Sequence, residues 1–226
     1  MNQHPRTILP DVALGFILRT RLLDRVLRRR ARDILARSGL AEGLPRRGWL
    51  LDLGAGTGHL AEAVLEAGPE RRCLLVDPAY APAPRLMRRL AGRDSALLRA
   101  DGAALPFPAG MFDGAWAAFV LHHLAPPDQE CALAELRRVL RPGAPFVLLE
   151  DTPADAPAAR ATARADRRLN LEPAGAPHHY RRADEWPGIL ARHGLTVTEQ
   201  RGFEGIFPRA GWHRVHHTAY RALASV

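Results

Sequence analysis

The chain has 226 residues, of which 47% are apolar, and its formal net charge at pH 7 is +8. This length and apolar content fit one α/β domain with a buried core, and two cysteines are too few for a disulfide framework. Because no apolar run is long enough to span a membrane and no secretory signal precedes the core, we expect a soluble, cytoplasmic protein.

The first predicted element is a basic amphipathic helix. Residues 12–37 contain no proline, and Leu22, Leu23, Val26, Leu27 and Ile34 recur at helical intervals. Arginines at positions 21, 25, 28 and 32 are expected on the opposite face. We expect residues 1–47 to form a helical lid over an acceptor pocket. The basic face would also suit contact with an anionic membrane surface.

Strand and helix patterns then alternate along the chain. Short apolar runs predict strands at 49–53, 73–76, 96–99, 112–120, 145–150, 195–200 and 215–224. Helices are predicted at 59–67, from about residue 85, at 129–140 and at 183–193. This alternation predicts an α/β fold with a doubly wound, mostly parallel sheet. We expect residues 48–226 to form one domain, with a partly helical insertion on the acceptor side at 152–182.

Three glycines follow the first predicted strand at the start of a helix. Gly54, Gly56 and Gly58 permit a tight turn and let a ligand approach the backbone. A dinucleotide-binding loop of the G-x-G-x-x-G type would need its third glycine at position 59, where His59 stands. The spacing therefore argues against a nicotinamide-dependent oxidoreductase.

Two acidic residues close the next two predicted strands. Asp77 ends the second strand, where a carboxylate can accept hydrogen bonds from both hydroxyls of a ribose. Asp101 ends the third strand and could accept the exocyclic amine of an adenine, with Gly102 giving the ring access. Because ligands of open α/β sheets bind beyond the carboxyl ends of the strands, the pattern predicts a nucleoside-containing ligand.

Several motifs resemble one enzyme family. Leu51–Gly58 is similar to the first motif of class I S-adenosylmethionine-dependent methyltransferases. Four later motifs resemble, in the correct order, the branch that contains the ubiquinone and menaquinone C-methyltransferases (methyltransferase type 11). These motifs are Ala100–Pro108, Phe112-Asp113, Leu121–Leu124 and Glu135–Gly143. The resemblance covers about residues 48–151.

This resemblance implies a Rossmann-like sheet of seven strands whose last strand is antiparallel. It implies S-adenosylmethionine as cofactor and S-adenosylhomocysteine as product. The implied cofactor-binding residues are Asp52, Gly54, Ala55, Gly56, Thr57 and Gly58 for the methionine part, Asp77 for the ribose, Asp101 and Gly102 for the adenine with Pro78 on the adenine side, and Phe119 beside the sulfonium and the acceptor. Pro78, Pro82 and Pro84 depart from the family pattern by lengthening the loop after Asp77.

Histidines supply the candidates for acceptor chemistry. His122 and His123 follow the fourth predicted strand and are candidate catalytic bases; the alternative is that they are packing and helix-start residues typical of the family. His178, His179 and Tyr180 are candidates for binding the acceptor. We expect no catalytic metal, because neighbouring histidines point apart on a regular element and no carboxylate lies in a recognised ligand spacing.

The leading functional hypothesis is methylation of a small organic acceptor, such as a metabolite, a quinone or lipid-like molecule, or a natural-product intermediate. Nucleic-acid methylation is the main alternative, suggested by the net charge. Against it, the fourth strand ends in Ala118–His122 and lacks the Asn/Asp-Pro-Pro-aromatic tetrapeptide of enzymes that methylate bases. A non-catalytic regulatory protein that binds S-adenosylmethionine is a further alternative. The oligomeric state is left open.

Overall fold

Within the described residues of the structure, seven strands form one sheet. The structure is a computed structural model that describes residues 21–79, 95–170, 177–207 and 213–226. In chain order, the described elements are α1 (Arg21–Ser38), β1 (Arg47–Leu53), α2 (His59–Ala67), β2 (Glu70–Val76), β3 (Ala96–Leu98), β4 (Gly114–Ala118), a 3₁₀ turn (Leu121–His123), α3 (Pro126–Val139), β5 (Pro145–Asp151), α4 (Ala156–Asn170), α5 (Trp186–Arg192), β6 (Leu195–Phe207) and β7 (His213–Ala224).

The strand order is β3-β2-β1-β4-β5-β7-β6. Strands β1 to β5 pair in parallel, whereas β7 runs antiparallel to both β5 and β6. The predicted seven-stranded, mostly parallel Rossmann-like sheet with an antiparallel last strand is therefore confirmed. Strand order reverses between β1 and β4, so the carboxyl ends of these two strands flank the position where open α/β sheets bind ligands.

Apolar side chains cover both faces of the sheet. Leu51, Phe146 and Leu148 pack on one face, and Leu50 and Trp116 pack on the other. All five are fully buried. This two-sided burial explains why the strands appear in the sequence as short continuous apolar runs rather than as alternating patterns.

Helix α1 differs from its predicted orientation. Val26 is 54% exposed although it was expected on the buried face, whereas Ile34 is buried. Arg28, expected on the outer face, donates to both carboxylate oxygens of Glu62 on α2 at 2.7 and 3.0 Å. The helix is rotated because α2 offers carboxylates to its arginines, a contact that helical periodicity alone cannot reveal. The predicted helical segment at 12–20 and the helix from about residue 85 lie outside the described residues.

Element boundaries shift most near the site. Strand β4 ends at Ala118 because Phe119 takes a left-handed backbone conformation with φ of 58°. The insertion contains the fifteen-residue helix α4, and β6 extends seven residues beyond its predicted end. In the part of the chain that the structure describes, no helix is both long and apolar enough to cross a membrane.

Candidate cofactor and acceptor site

The loop after β1 depends on glycine. Gly54, Gly56 and Gly58 have φ of 75°, 52° and 74°, a region that other residues rarely adopt. A Cβ at Gly54 would lie 2.2 Å from Val120 Cγ2, whereas a Cβ at Gly56 would have no atom within 4 Å. The loop is therefore packed against the sheet at Gly54 and open at Gly56.

Asp77 joins this loop to the end of β2. Its Oδ2 accepts the Gly56 N–H at 2.8 Å, and its Oδ1 accepts the Ala79 N–H at 2.8 Å. A carboxylate has about four acceptor positions, so two remain for further donors. The predicted ribose-binding acid thus lies against the glycine loop, with acceptor capacity left for two hydroxyls.

Asp52 lies beneath the loop near the end of β1. Its side chain is nearly inaccessible, with 3% of the residue exposed. Burial raises the pKa of Asp52 well above its usual value, and the charge of Asp77 adds to that shift. The charged form of this carboxyl group is therefore disfavoured at this position.

The remaining predicted cofactor positions are more open. Asp101 is exposed at the end of the β3 segment, and its Oδ1 accepts the Ala103 N–H at 3.0 Å. Gly102 lies against Leu53, whose Cδ1 would be 3.1 Å from an added Cβ. Pro78 is exposed. The predicted adenine side therefore lies at the surface, next to the buried strand ends.

Thr57 connects the loop to α1 through one histidine. Its hydroxyl lies 2.8 Å from His59 Nδ1, and His59 Nε2 lies 3.3 Å from Asp24 Oδ1 on α1. Asp24 and His59 are both buried. These two contacts link the loop to α1 through buried polar groups.

Phe119 marks the boundary between the loop and the acceptor side. Its ring lies edge-on to His217, with centroids 5.0 Å apart, and Phe203 packs against the same histidine at 5.2 Å. His217 Nδ1 lies 2.5 Å from Asp151 Oδ1 at the end of β5. The strained Phe119 thus contributes to an aromatic surface beside the ends of β4 and β5.

His122 is enclosed between two carboxylates. Its Nδ1 lies 2.5 Å from Glu150 Oε2, and its Nε2 lies 2.8 Å from Asp166 Oδ2 on α4. Burial acts to lower the pKa of His122, but these two carboxylates outweigh it and raise that pKa well above its usual value. Glu150 Oε1 also accepts the N–H groups of Val120 and Leu121. One acid thereby fixes the whole turn after β4.

Two more histidines and a tyrosine surround Asp166. His123 Nε2 lies 3.8 Å and His178 Nε2 3.5 Å from Asp166 Oδ2, and the Tyr180 hydroxyl donates to the same oxygen at 3.2 Å. Potential ligand atoms of four of these residues lie within 4.8 Å of one another, and we call this group the histidine cluster: His122, His123, Asp166 and His178. His179 contacts this group through its backbone, because its N–H donates to the carbonyl oxygen of His122 at 2.7 Å.

This arrangement overturns one expectation about the histidines. Neighbouring histidines were expected to point apart, but the rings of His122 and His123 lie with centroids 4.1 Å apart because they occupy a 3₁₀ turn. The catalytic role of these two histidines and the acceptor role of His178, His179 and Tyr180 stay predictions.

Sequence reasoning missed three residues at this site. Glu150 was recognisable as an acid at a strand end. Asp166 was not recognisable, because it lies on a helix and its partner His122 is 44 positions away in the sequence. Arg30 comes from α1; burial lowers its pKa, and the charges of Asp151 and Asp166 oppose that shift. Nothing in the local pattern distinguishes Arg30 from its neighbouring arginines.

Comparison with known sequences finds methyltransferases, as the sequence motifs predict. A family profile described as a methyltransferase domain matches residues 50–143. A demethylmenaquinone methyltransferase of Thermus thermophilus is 40% identical over 150 residues, which is 63% of this chain and 64% of that protein. A ubiquinone/menaquinone biosynthesis C-methyltransferase of Methylobacterium nodulans is 39% identical over 113 residues, covering 48% of this chain and 44% of that protein. The chain therefore spans less than two thirds of these relatives.

Solved structures share the fold. A 1,6-didemethyltoxoflavin-N1-methyltransferase of Burkholderia thailandensis, solved with its substrate and S-adenosylhomocysteine, is 22% identical with a TM-score of 0.65, covering 95% of this chain and 85% of that one. A methyltransferase of Methanosarcina mazei has a TM-score of 0.66 at 18% identity, with 83% and 97% covered. With the sequence matches, the chain contains a methyltransferase domain at residues 50–143 and is similar to the ubiquinone and menaquinone C-methyltransferases.

Proposed function

We propose that the protein transfers the methyl group of S-adenosylmethionine to a small organic acceptor at the carboxyl ends of β4 and β5. The observation that carries the proposal is the hydrogen bond from the Gly56 N–H to Asp77 Oδ2, with open space above Gly56. This contact presents the glycine-loop backbone and a carboxylate side by side, as a nucleoside with an amino-acid tail requires.

The cofactor supplies a methyl group on a positively charged sulfur, so transfer needs chiefly alignment and exclusion of water. Asp77 is proposed to accept the ribose hydroxyls, and Asp101 the adenine amine. The Phe119 side chain would lie between the reacting centre and the end of β4. His122 is suited to a positioning role, since both of its ring nitrogens already contact carboxylates.

The residues around Phe119 favour an acceptor with an aromatic ring and polar substituents. Phe203 and His217 extend the aromatic surface, and the charges of Arg30 and Asp151 lie beside it. The names of the sequence relatives, which include demethylmenaquinone methyltransferases, support a quinone-like acceptor in reduced form. Arg30 could neutralise an anionic substituent of such a ring.

The basic charge gives less support to a nucleic-acid acceptor than its total suggests. Arg28 and Arg32 bind Glu62 and Glu66 on α2. Arg71 is buried and donates to four backbone carbonyl oxygens. Arg28 and Arg71 are therefore engaged within the fold, whereas the Arg32 side chain is 62% exposed. A small-molecule acceptor accords better with this distribution.

The lid expected at residues 1–47 over the acceptor pocket stays a prediction, and for its described part we infer that α1 lies against the cofactor loop. The contacts from Asp24 to His59 and from Arg28 to Glu62 fasten this helix along α2. Arg25 and Arg29 are exposed, and peripheral contact of this outer surface with an anionic membrane stays a prediction.

The proposal is tested by measuring S-adenosylhomocysteine formation by the full chain with S-adenosylmethionine and a panel of acceptors. The panel would contain reduced naphthoquinols and benzoquinols, simple phenols, amines and duplex and single-stranded nucleic acids. We expect turnover with one or more ring acceptors and none with nucleic acids. Methylation of nucleic acid alone, or no methylation while the cofactor binds tightly, would contradict the proposed activity.

A further inference from the structure

The histidine cluster has the composition of a transition-metal site. It offers three imidazole nitrogens and one carboxylate oxygen, a donor set that suits zinc and its first-row neighbours better than magnesium or calcium. We propose that a divalent ion of the zinc type binds there, coordinated by His122, His123, Asp166 and His178. This inference goes beyond the proposed methyl transfer and does not depend on it.

The distances in the cluster are close to those a bound ion requires. The three Nε2 atoms surround Asp166 Oδ2 at 2.8, 3.5 and 3.8 Å. Zinc holds nitrogen and oxygen ligands at about 2.0–2.2 Å, which puts tetrahedral ligands roughly 3.4 Å apart. Since the four atoms already lie within 4.8 Å of one another, small side-chain rotations would complete the sphere.

An outer carboxylate already orients one of the ligands. Glu150 Oε2 lies 2.5 Å from His122 Nδ1, so the Nε2 atom of that ring is directed at Asp166. Metal-bound histidines commonly donate their second N–H to a carboxylate in this manner. The ion would displace the proton from Nε2, as imidazole ligands must be neutral to bind.

The burial of the four side chains is suited to a bound ion that is accessible from one side. The side chains of His122 and His178 are each 1% exposed and that of Asp166 is 7% exposed, whereas His123 is 28% exposed. An ion could therefore enter past His123. One contact would have to open: Arg167 Nη1 lies 3.4 Å from His178 Nδ1 and can only donate, while a metal-bound His178 needs its proton on Nδ1.

The ligands come from three separate segments. His122 and His123 lie in the turn after β4, Asp166 lies on α4, and His178 lies in the segment before α5. A bound ion would therefore cross-link the acceptor-side insertion to the sheet. We infer that the metal orders α4 over the ends of β4 and β5.

The test uses the full chain, stripped with a chelator and titrated with Zn²⁺ and with Co²⁺. We expect one equivalent of Zn²⁺ to raise the melting temperature and to slow hydrogen exchange in α4, because the ion binds the folded state. Co²⁺ should give the intense visible absorption of a tetrahedral site. X-ray absorption of the zinc-loaded protein should show three imidazole nitrogens.

Matched variants locate the ion. His178→Gln and Asp166→Asn should each weaken Zn²⁺ binding by more than the roughly 10–100-fold that loss of an outer-sphere partner causes. His193→Gln is the control, since His193 Nε2 pairs with Glu130 Oε2 at 2.5 Å outside the cluster, and it should bind like wild type. Binding unaffected by both cluster substitutions, no binding by wild type, or an absorption spectrum with fewer than three imidazoles would overturn the proposal, whether or not the protein methylates anything.

Discussion

Replacing Glu150 with alanine should lower the free energy of unfolding by about 3–5 kcal/mol, the usual effect of breaking a buried charge pair. The side chain is fully buried and serves three donors at once. Two are the backbone N–H groups of Val120 and Leu121, and the third is the His122 ring. Alanine would leave all three buried without their acceptor. Urea unfolding measures the effect.

Glu199 provides the matched control on the same sheet. It is 42% exposed, and its carboxylate lies 3.2 Å from both Arg201 and Arg221. Exposed pairs of this kind contribute about 0–1 kcal/mol, so Glu199→Ala should be nearly neutral. Glu150→Gln keeps one carbonyl oxygen for the backbone N–H groups and should fall between the two alanine variants. Equal stabilities for Glu150→Ala and Glu199→Ala would show that the turn after β4 does not depend on this acid.

Asp77→Ala should weaken S-adenosylhomocysteine binding by about 1–3 kcal/mol, or roughly 5–150-fold. The substitution removes the proposed acceptor of the ribose hydroxyls and also the acceptor of the Gly56 N–H, so the loop loses its anchor. Asp77→Asn retains one oxygen for the Gly56 N–H but loses the acceptor of the Ala79 N–H. It should therefore lower the melting temperature less than Asp77→Ala does while still losing cofactor affinity, as calorimetry and thermal unfolding together would show.

Glu70→Ala is the control for this experiment. Glu70 begins the strand that Asp77 follows, is exposed, and carries the same charge at the opposite end of β2. Its removal should leave cofactor affinity unchanged. If Asp77→Ala and Asp77→Asn bound S-adenosylhomocysteine as tightly as Glu70→Ala does, the assignment of the ribose position to Asp77 would be wrong.

The cofactor half of the site could be predicted because its signals are local. A buried strand followed by glycines gives a loop with positive φ, and an acid directly after the next strand lies beside it. Gly56 and Asp77 are 21 positions apart, yet parallel neighbouring strands bring their carboxyl ends together whatever the intervening sequence. The strand order alone therefore predicts that Asp77 lies close to Gly56.

The acceptor half could not be predicted in the same way. The bond between His122 and Asp166 joins a turn to a helix whose docking depends on the whole insertion. Strand β6 also extends beyond its apolar run, because β7 pairs with it as far as Phe207 and supplies hydrogen bonds that no side-chain pattern records.

Helix α1 illustrates a different limit. Periodicity correctly separates an arginine-bearing face from an apolar one, but it does not say which side meets a neighbour. Glu62 on α2 holds Arg28 with 18% of its side chain exposed, whereas Arg32 pairs with Glu66 at the surface with 62% exposed, and Val26 is also exposed. The partly buried pair between Arg28 and Glu62 joins two helices, and the periodicity of α1 alone does not record it.

Calorimetric titration of the protein with S-adenosylhomocysteine, and separately with NAD, tests the central claim most directly. The glycine loop with Asp77 and Asp101 predicts saturable binding of S-adenosylhomocysteine at one site per chain, with a higher melting temperature in its presence. NAD should not bind, since His59 occupies the position of the third glycine of a dinucleotide loop. Tight NAD binding without S-adenosylhomocysteine binding would contradict the account.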